Sequence, residues 1–296
     1  MSDTFLLANR TVRRIGYGAM QLPGPGVMGP PRDHDEALRV LRRAVELGVN
    51  HIDTAQFYGP GVSNELIREA LHPYPDDLAI VSKVGARRDA KGGWIMAQSP
   101  ADLRADVEEN LRVLGTEQLT AVNLRRMDEH PGDGSGVPFE DQLAEMVALR
   151  EEGKIAGVGI STVSAEQVVT AIDAADIVCV QNAFSLVDQE DREVLAECRA
   201  AGVAYVPYFP LGSAFPGMPK VTDQPDVQAV AARHGVPASR VGLAWVLAQG
   251  DNVLLIPGTS SVAHLEENMA AGDLTLSDQD MADLADLANL AQGMTA

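Results

Sequence analysis

Positive charge is scarce in this sequence. Lys and Arg total 23 against 42 Asp and Glu, for a formal net charge of -19. So acidic a chain argues against nucleic acid as a partner, because phosphate binding needs a basic face. A local basic pocket around one anionic cofactor remains open. Cysteine is nearly absent, with only Cys179 and Cys198. Cys179 lies in the run Ile177-Val178-Cys179-Val180 and reads as a small buried hydrophobe. A reducing, cytoplasmic setting is expected. No run of 18 apolar residues occurs, and no apolar stretch of signal-peptide length opens the chain. A soluble protein without a membrane partner is therefore expected. Aromatics make up only 4%, although apolar residues reach 46%. A core built on Ala and Val suits helices packed against parallel strands.

What is present is an alternation. Short apolar runs at 15–20, 51–54, 79–84, 119–124, 155–160, 177–181, 204–207 and 253–257 are each followed by a stretch that can be helical. Strands flanked by helices form parallel sheets and read as continuous apolar runs. Eight such units close into a (β/α)8 barrel, which takes about 250 residues, so residues 1–296 are expected to form one domain. Phe5-Leu6-Leu7 and Thr11-Val12, split by Ala8-Asn9-Arg10, predict a β-hairpin ahead of the barrel. Ser99-Pro100 and Gly115 bracket one helix. A second, with Phe139, Leu143 and Met146, stops at Gly153, and Ser164-Ala165-Glu166-Gln167 has the capping-box pattern. Ser277 starts a last helix with Met281, Leu284, Leu287 and Leu290 on one stripe. Segments 22–31 and 130–138 read as surface loops.

Barrel enzymes carry their chemistry at the C-terminal ends of strands. Asp53, Lys83, Arg125, Ser161, Gln181, Asn182 and Tyr208 all fall at or just past the end of an apolar run. One such Asp is more often a helix cap than a catalyst, and one such Lys is usually a solvated end. Polar ends on consecutive strands point instead to a shared site. Two other patterns lack their context. Gly24-Pro25-Gly26-Val27-Met28-Gly29 spells a dinucleotide fingerprint but is stiffened by proline and opens no helix. His51-x-Asp53 has no third strand-end ligand to complete a metal site.

The chain resembles the aldo-keto reductases. Gly16-Tyr17-Gly18-Ala19-Met20, Asp53-Thr54-Ala55 with Tyr58-Gly59, Asn64-Glu65, Lys83, Gly159-Ile160-Ser161, Tyr208-Phe209-Pro210-Leu211-Gly212 and 256–261 with Glu267-Asn268 match that family in order along nearly the whole chain. The resemblance implies reduction of a small aldehyde or ketone by NADPH, with NADH the alternative, bound without a Rossmann fold. It implies that Tyr58 donates the proton and that Lys83, held by Asp53, lowers the pKa of Tyr58. Gly18, Met20, Ser161, Gln181, Asn182, Tyr208, Pro210, Leu211 and Gly212 are implied on the nicotinamide side. Gly258, Thr259, Ser260, His264, Glu267 and Asn268 are implied on the adenosine side, with Ser260 and His264 for the 2′-phosphate.

The family usually has a His at the end of the fourth strand. Ten residues after Leu114-Gly115 this chain has Arg125, with Arg126 and Asn123 as the other readings of that register. Arginine keeps its charge, so it can polarise a carbonyl but cannot relay a proton. Gly-Tyr-Gly-Ala-Met-Gln-Leu, Val-Asn-Leu-Arg and Tyr-Phe-Pro-Leu-Gly are similar to a bacterial branch of the family that acts on pyridoxal and shares this Arg. Pyridoxal is the substrate this implies. A non-catalytic NADPH-binding barrel that senses redox state is the alternative, and the sequence gives no oligomeric state.

Overall fold

The computed structural model describes residues 3–127, 136–212, 219–285 and 287. The chain opens with β1 (Thr4–Leu7) and β2 (Arg10–Arg13), then β3 (Tyr17–Gly18) and α1 (His34–Glu46). β4 (His51–Asp53), α2 (Val62–Leu71) and β5 (Ala79–Val84) follow, then a second pair, β6 (Ala86–Arg88) and β7 (Trp94–Met96). Next come α3 (Pro100–Leu114), β8 (Ala121–Arg125), α4 (Phe139–Glu151), β9 (Val158–Ser161) and α5 (Ala165–Ala175). The series continues with β10 (Cys179–Gln181), α6 (Arg192–Ala201), β11 (Ala204–Tyr205) and α7 (Pro225–His234). α8 (Ala238–Leu247), α9 (Val262–Met269) and α10 (Asp278–Asp283) close it.

Seven strands form a parallel sheet in the order β11-β10-β9-β8-β5-β4-β3. Residues 253–258 close it into the expected α/β barrel. They bridge Tyr205 through Val253 on one side, and Ile15 and Gly18 through Leu255 and Gly258 on the other. Tyr205 N–H donates to Asn252 O at 2.9 Å, and Leu255 N–H donates to Arg14 O at 2.7 Å. The eighth expected strand is therefore a rung of isolated bridges rather than a ladder. Pro257 lacks the N–H that would extend it. The first expected strand also shortens, because a 3-10 turn, Ala19–Gln21, starts directly after Gly18.

The two-residue period of a strand splits the core into two layers. Ile52, Ile80, Val122, Leu124, Val158, Ile160, Val180 and Tyr205 face the helices. Ala79, Val81, Ala121, Cys179, Ala204, Leu254 and Ile256 face the barrel axis. Leu7 and Val12 of the predicted hairpin join this axial cluster. The hairpin thus plugs the end of the barrel at which the axial strand residues begin.

The helix signals hold. Ser99 Oγ accepts from Asp102 N–H, and Gly115 takes the left-handed conformation at φ 69°. Ser164 and Gln167 form the reciprocal capping box. Gly153, at φ 78°, follows α4. Ser277 caps α10, which ends at Asp283, so Leu284 and Leu287 of the expected stripe are buried just past the helix, and Leu290 lies outside the described residues. Most of the expected loop 130–138 also lies outside them, and loop 22–31 contains a 3-10 turn at Pro25–Val27. No helix among the described residues is long and apolar enough to cross a membrane.

The plug should matter energetically, because Leu7 is fully buried among axial side chains. Leu7→Ala is expected to cost about 3 kcal/mol in urea unfolding. A loss under about 1 kcal/mol would mean that the hairpin rests on the barrel without sealing it.

Candidate active site

The same alternation that builds the core gathers the polar strand ends. Residues 79 and 81 point to the axis, so 83 does too; likewise 121, 123 and 125, and 179 and 181. Asp53, Lys83, Arg125, Ser161 and Gln181 thereby line one cavity of about 370 Å³ at the C-terminal ends of the strands. Gly18, Met20, Tyr58 and Tyr208 complete its inner wall. Pro210, Leu211 and Gly212 rim one side, and Gly258 and Asn268 another. The register at β8 is resolved. Arg125 faces the cavity, whereas Arg126 bonds Gln142 and packs over the Phe139 ring 5.0 Å away. Asn123 lies deeper on the axis, accepting from Cys179 Sγ at 3.3 Å.

At the centre is a buried ion pair. Lys83 Nζ lies 2.5 Å from Asp53 Oδ1 and also donates to Thr54 O at 3.0 Å. Gln181 Nε2 donates to Asp53 Oδ2 at 2.9 Å, so both carboxylate oxygens are held. Burial pulls the Lys83 ammonium down, but Asp53 and Tyr58 outweigh it and hold Lys83 above its ordinary range. Lys83 Nζ is 5.0 Å from the Tyr58 ring centroid. Lys83 lowers the Tyr58 pKa as expected, but the net shift in the protein alone is upward. Burial pushes the phenol up, and the charges of Lys83 and Arg125 offset only part of that. Tyr58 therefore keeps its proton at neutral pH, which is the state an acid needs.

Tyr58 is carried by the turn that follows β4. Asn64 on α2 accepts from Thr54 Oγ1 at 2.8 Å and donates to Gln56 and Asn110, which locks that turn from behind. Phe57 packs edge-on against Tyr58, with ring centroids 5.3 Å apart.

Some expected residues do not reach the cavity. Asn182 has the opposite parity to Gln181, and its amide is bonded to both Val163 N–H and Val163 O. Thr259 is buried, with its hydroxyl accepting from Ser261 N–H at 3.1 Å. Ser260, His264 and Glu267 are exposed near the start and outer face of α9. The N-terminus of that helix is already capped. Val262 N–H donates to Glu36 Oε1 at 3.1 Å, which holds the Glu36 carboxyl below its usual range.

Other cavity residues escaped the sequence reading. Arg88 and Trp94 reach it from the β6–β7 hairpin, whose signal was Gly92-Gly93 between two short runs. Thr162 and Phe209 line it with positive φ, 59° and 56°, as does Val27 at 61°. For β-branched Val and Thr this is a costly conformation, of a kind that collects at functional sites. No sequence signal marks it. Among the described residues no three His, Cys, Asp or Glu side chains gather as a metal ion would need.

A model of the aldo/keto reductase family matches residues 14–289. Pyridoxine 4-dehydrogenase of Escherichia coli K12 is 49% identical over 286 residues, covering 96% of this chain and 97% of its own. The uncharacterized oxidoreductase C215.11c of Schizosaccharomyces pombe is 37% identical, covering 96% and 89%. Among solved structures, an aldo/keto reductase from Klebsiella pneumoniae in complex with NADP and acetate superposes with a TM-score of 0.79. It is 25% identical and covers 97% of this chain and 95% of its own.

His51 gives a pH test of the site's floor. Burial, with some help from Lys83, drops its imidazole from 6.5 to about 4, and its Nδ1 has no partner. Between those values the unfolded chain takes up a proton that the folded chain refuses. Stability from this group is thus full above pH 6.5 and declines as pH falls toward 4. The His51 ring resonances should not titrate above about pH 5 in an NMR series. A midpoint near 6.5 would place His51 in contact with water.

Proposed function

The chain belongs to the aldo/keto reductase family, and on that premise we propose that it reduces aldehydes and ketones with NADPH, pyridoxal being the leading substrate. It is an oxidoreductase, as its relatives are. The observation that carries the assignment of roles is the placement of the Tyr58 phenol in a cavity beside the buried Lys83–Asp53 pair and Arg125.

The residues present fit a nicotinamide. Gln181 Oε1 is buried without a donor, so it can accept from a carboxamide NH2. The Ser161 hydroxyl stands at the end of the neighbouring strand to donate to the carboxamide oxygen. The Tyr208 ring lines the same wall and offers a stacking face. Gly18 and Gly258 line the cavity where two backbone segments meet too closely for a side chain. A Cβ on Gly18 would come within 2.4 Å of Ile256 O, and one on Gly258 within 2.7 Å of Gly18 O. The bound cofactor supplies a hydride to the carbonyl carbon.

Every other step falls to the protein. Tyr58 hydrogen-bonds the carbonyl oxygen and passes it the phenolic proton. Lys83, kept charged by Asp53, stabilises the tyrosinate that remains. Arg125 adds a fixed cation beside the oxygen and polarises the carbonyl. Reduction of pyridoxal is the reverse of the oxidation that the E. coli relative's name denotes. The ring of pyridoxal carries an ionisable hydroxyl ortho to the aldehyde, and its phenolate can pair with Arg125. Two buried free thiols, Cys179 and Cys198, support a reducing compartment, the cytoplasm.

Tyr58→Phe should cut turnover of a saturating aldehyde by at least about 10²-fold while NADPH still binds. A variant that keeps more than about a third of the rate would remove Tyr58 from its role.

Cofactor choice supplies a second test. The Glu36 carboxylate stands at the α9 N-terminus, where Ser260 and His264 would meet the 2′-phosphate. Preference for NADPH should therefore be moderate, and Glu36→Gln should raise it about two- to five-fold. Dissociation constants for NADPH and NADH, taken by fluorescence titration of both proteins, check this. An unchanged ratio would put the 2′-phosphate elsewhere.

A further inference from the structure

The β6–β7 hairpin brings a second arginine to the cavity. Its strand carries two adjacent arginines with different fates. Arg87 turns outward and is neutralised by Asp102 at 2.9 Å and Asp106 at 2.8 Å. Arg88 turns inward, and its Cζ lies 3.4 Å from the centroid of the Trp94 ring. The Arg125 Cζ lies 4.5 Å from the same centroid, and 5.7 Å from that of Phe57. Two guanidiniums therefore share one indole, which attracts each of them through its ring quadrupole.

Neither cation meets a carboxylate among the described residues, in a chain with 42 acidic residues. The one carboxylate among the described residues that line the cavity, Asp53, is held on both oxygens by Lys83 and Gln181. Arg88 donates to Gly92 O at 2.8 Å, but its Nε is buried with no acceptor, and so is the Nε of Arg125. Burial, and then the charge of Arg125, push the Arg88 guanidinium below its ordinary range. Mutual repulsion of this kind is relieved by an anion between or beside the two groups.

We propose that Arg88 and Arg125, held by Trp94, form an anion site at the substrate end of the cavity, so that the enzyme favours carbonyl substrates bearing a carboxylate, phenolate or phosphate. This rests on the carbonyl-reductase reading and deepens it. Arg125 is carried by β8, and Arg88 is the specificity residue that extends the positive field along the hairpin. A neutral aldehyde offers neither guanidinium a counter-ion, and an anionic one pairs with them out of bulk water. The chemistry recognised is a delocalised oxyanion, to which an arginine fork offers two parallel N–H donors.

The test compares 4-carboxybenzaldehyde with benzaldehyde. Wild-type protein should favour the carboxylate by at least about ten-fold in kcat/KM, as expected for charge-assisted hydrogen bonds. Arg88→Gln should lower that ratio by about ten-fold, and Arg88→Lys, which keeps the charge, should retain much of it. A wild-type ratio near one, or an Arg88→Gln loss shared equally by both aldehydes, overturns the site. Calorimetry with 4-(hydroxymethyl)benzoate and benzyl alcohol gives a reading that needs no turnover. Tighter binding of the acid, lost in Arg88→Gln, with neither aldehyde turned over, would keep the anion site and reject the reductase reading. Turnover of both aldehydes without preference would do the opposite.

Discussion

A lysine ammonium and an aspartate carboxylate share the top of this barrel, almost wholly out of water. Such a pair costs a great deal to desolvate, and removing one partner leaves a stranded charge. It persists here because both partners make further hydrogen bonds. Gln181 takes the second oxygen of Asp53, and Thr54 O takes another proton of Lys83. Three strands, β4, β5 and β10, are therefore held in one relative height by polar contacts at their ends. That height decides where the turn after β4 leaves the sheet, and so where the Tyr58 hydroxyl stands.

The pair also explains why the phenol remains protonated without being inert. Burial alone favours the neutral form, and the nearby cations oppose it. What the cations reduce is the penalty for a transient anion, not the proton's occupancy at rest. A buried tyrosine with no such neighbours, Tyr205, shows the contrast, since burial dominates its upward shift and its hydroxyl finds no partner.

Much of this was legible in the residues, for physical reasons that differ from element to element. The strand at 79–84 is a continuous buried run and was read to its boundaries, because both of its faces are covered. The closing rung at 253–257 was read as a strand, yet it makes only scattered bridges, and apolar content cannot distinguish the two. Asp53, Lys83 and Arg125 were legible because each ends an apolar run on the axial parity. Asn182 points away from Gln181, since a step of one residue reverses the face. Arg88 and Trp94 lay beyond reach. They belong to a hairpin inserted between a strand and its helix, and their approach to Arg125 depends on how that hairpin folds back. The positive φ of Thr162 and Phe209 was equally silent, because surrounding structure imposes it.

The closing rung has a dynamic side. Seven strands are joined by ladders, but the cylinder is completed only by single bridges from residues 253–258 to Tyr205, Ile15 and Gly18. Ile256, Pro257 and Gly258 of that segment also form part of the cavity wall. The seam of the barrel and the wall of the site are thus one piece of chain. Local opening is cheapest where paired backbone is sparsest, so amide hydrogens at 254 and 255 should exchange with solvent sooner than those of β5. A molecule seated against the wall would slow that exchange by mass action, fastening the cylinder from within.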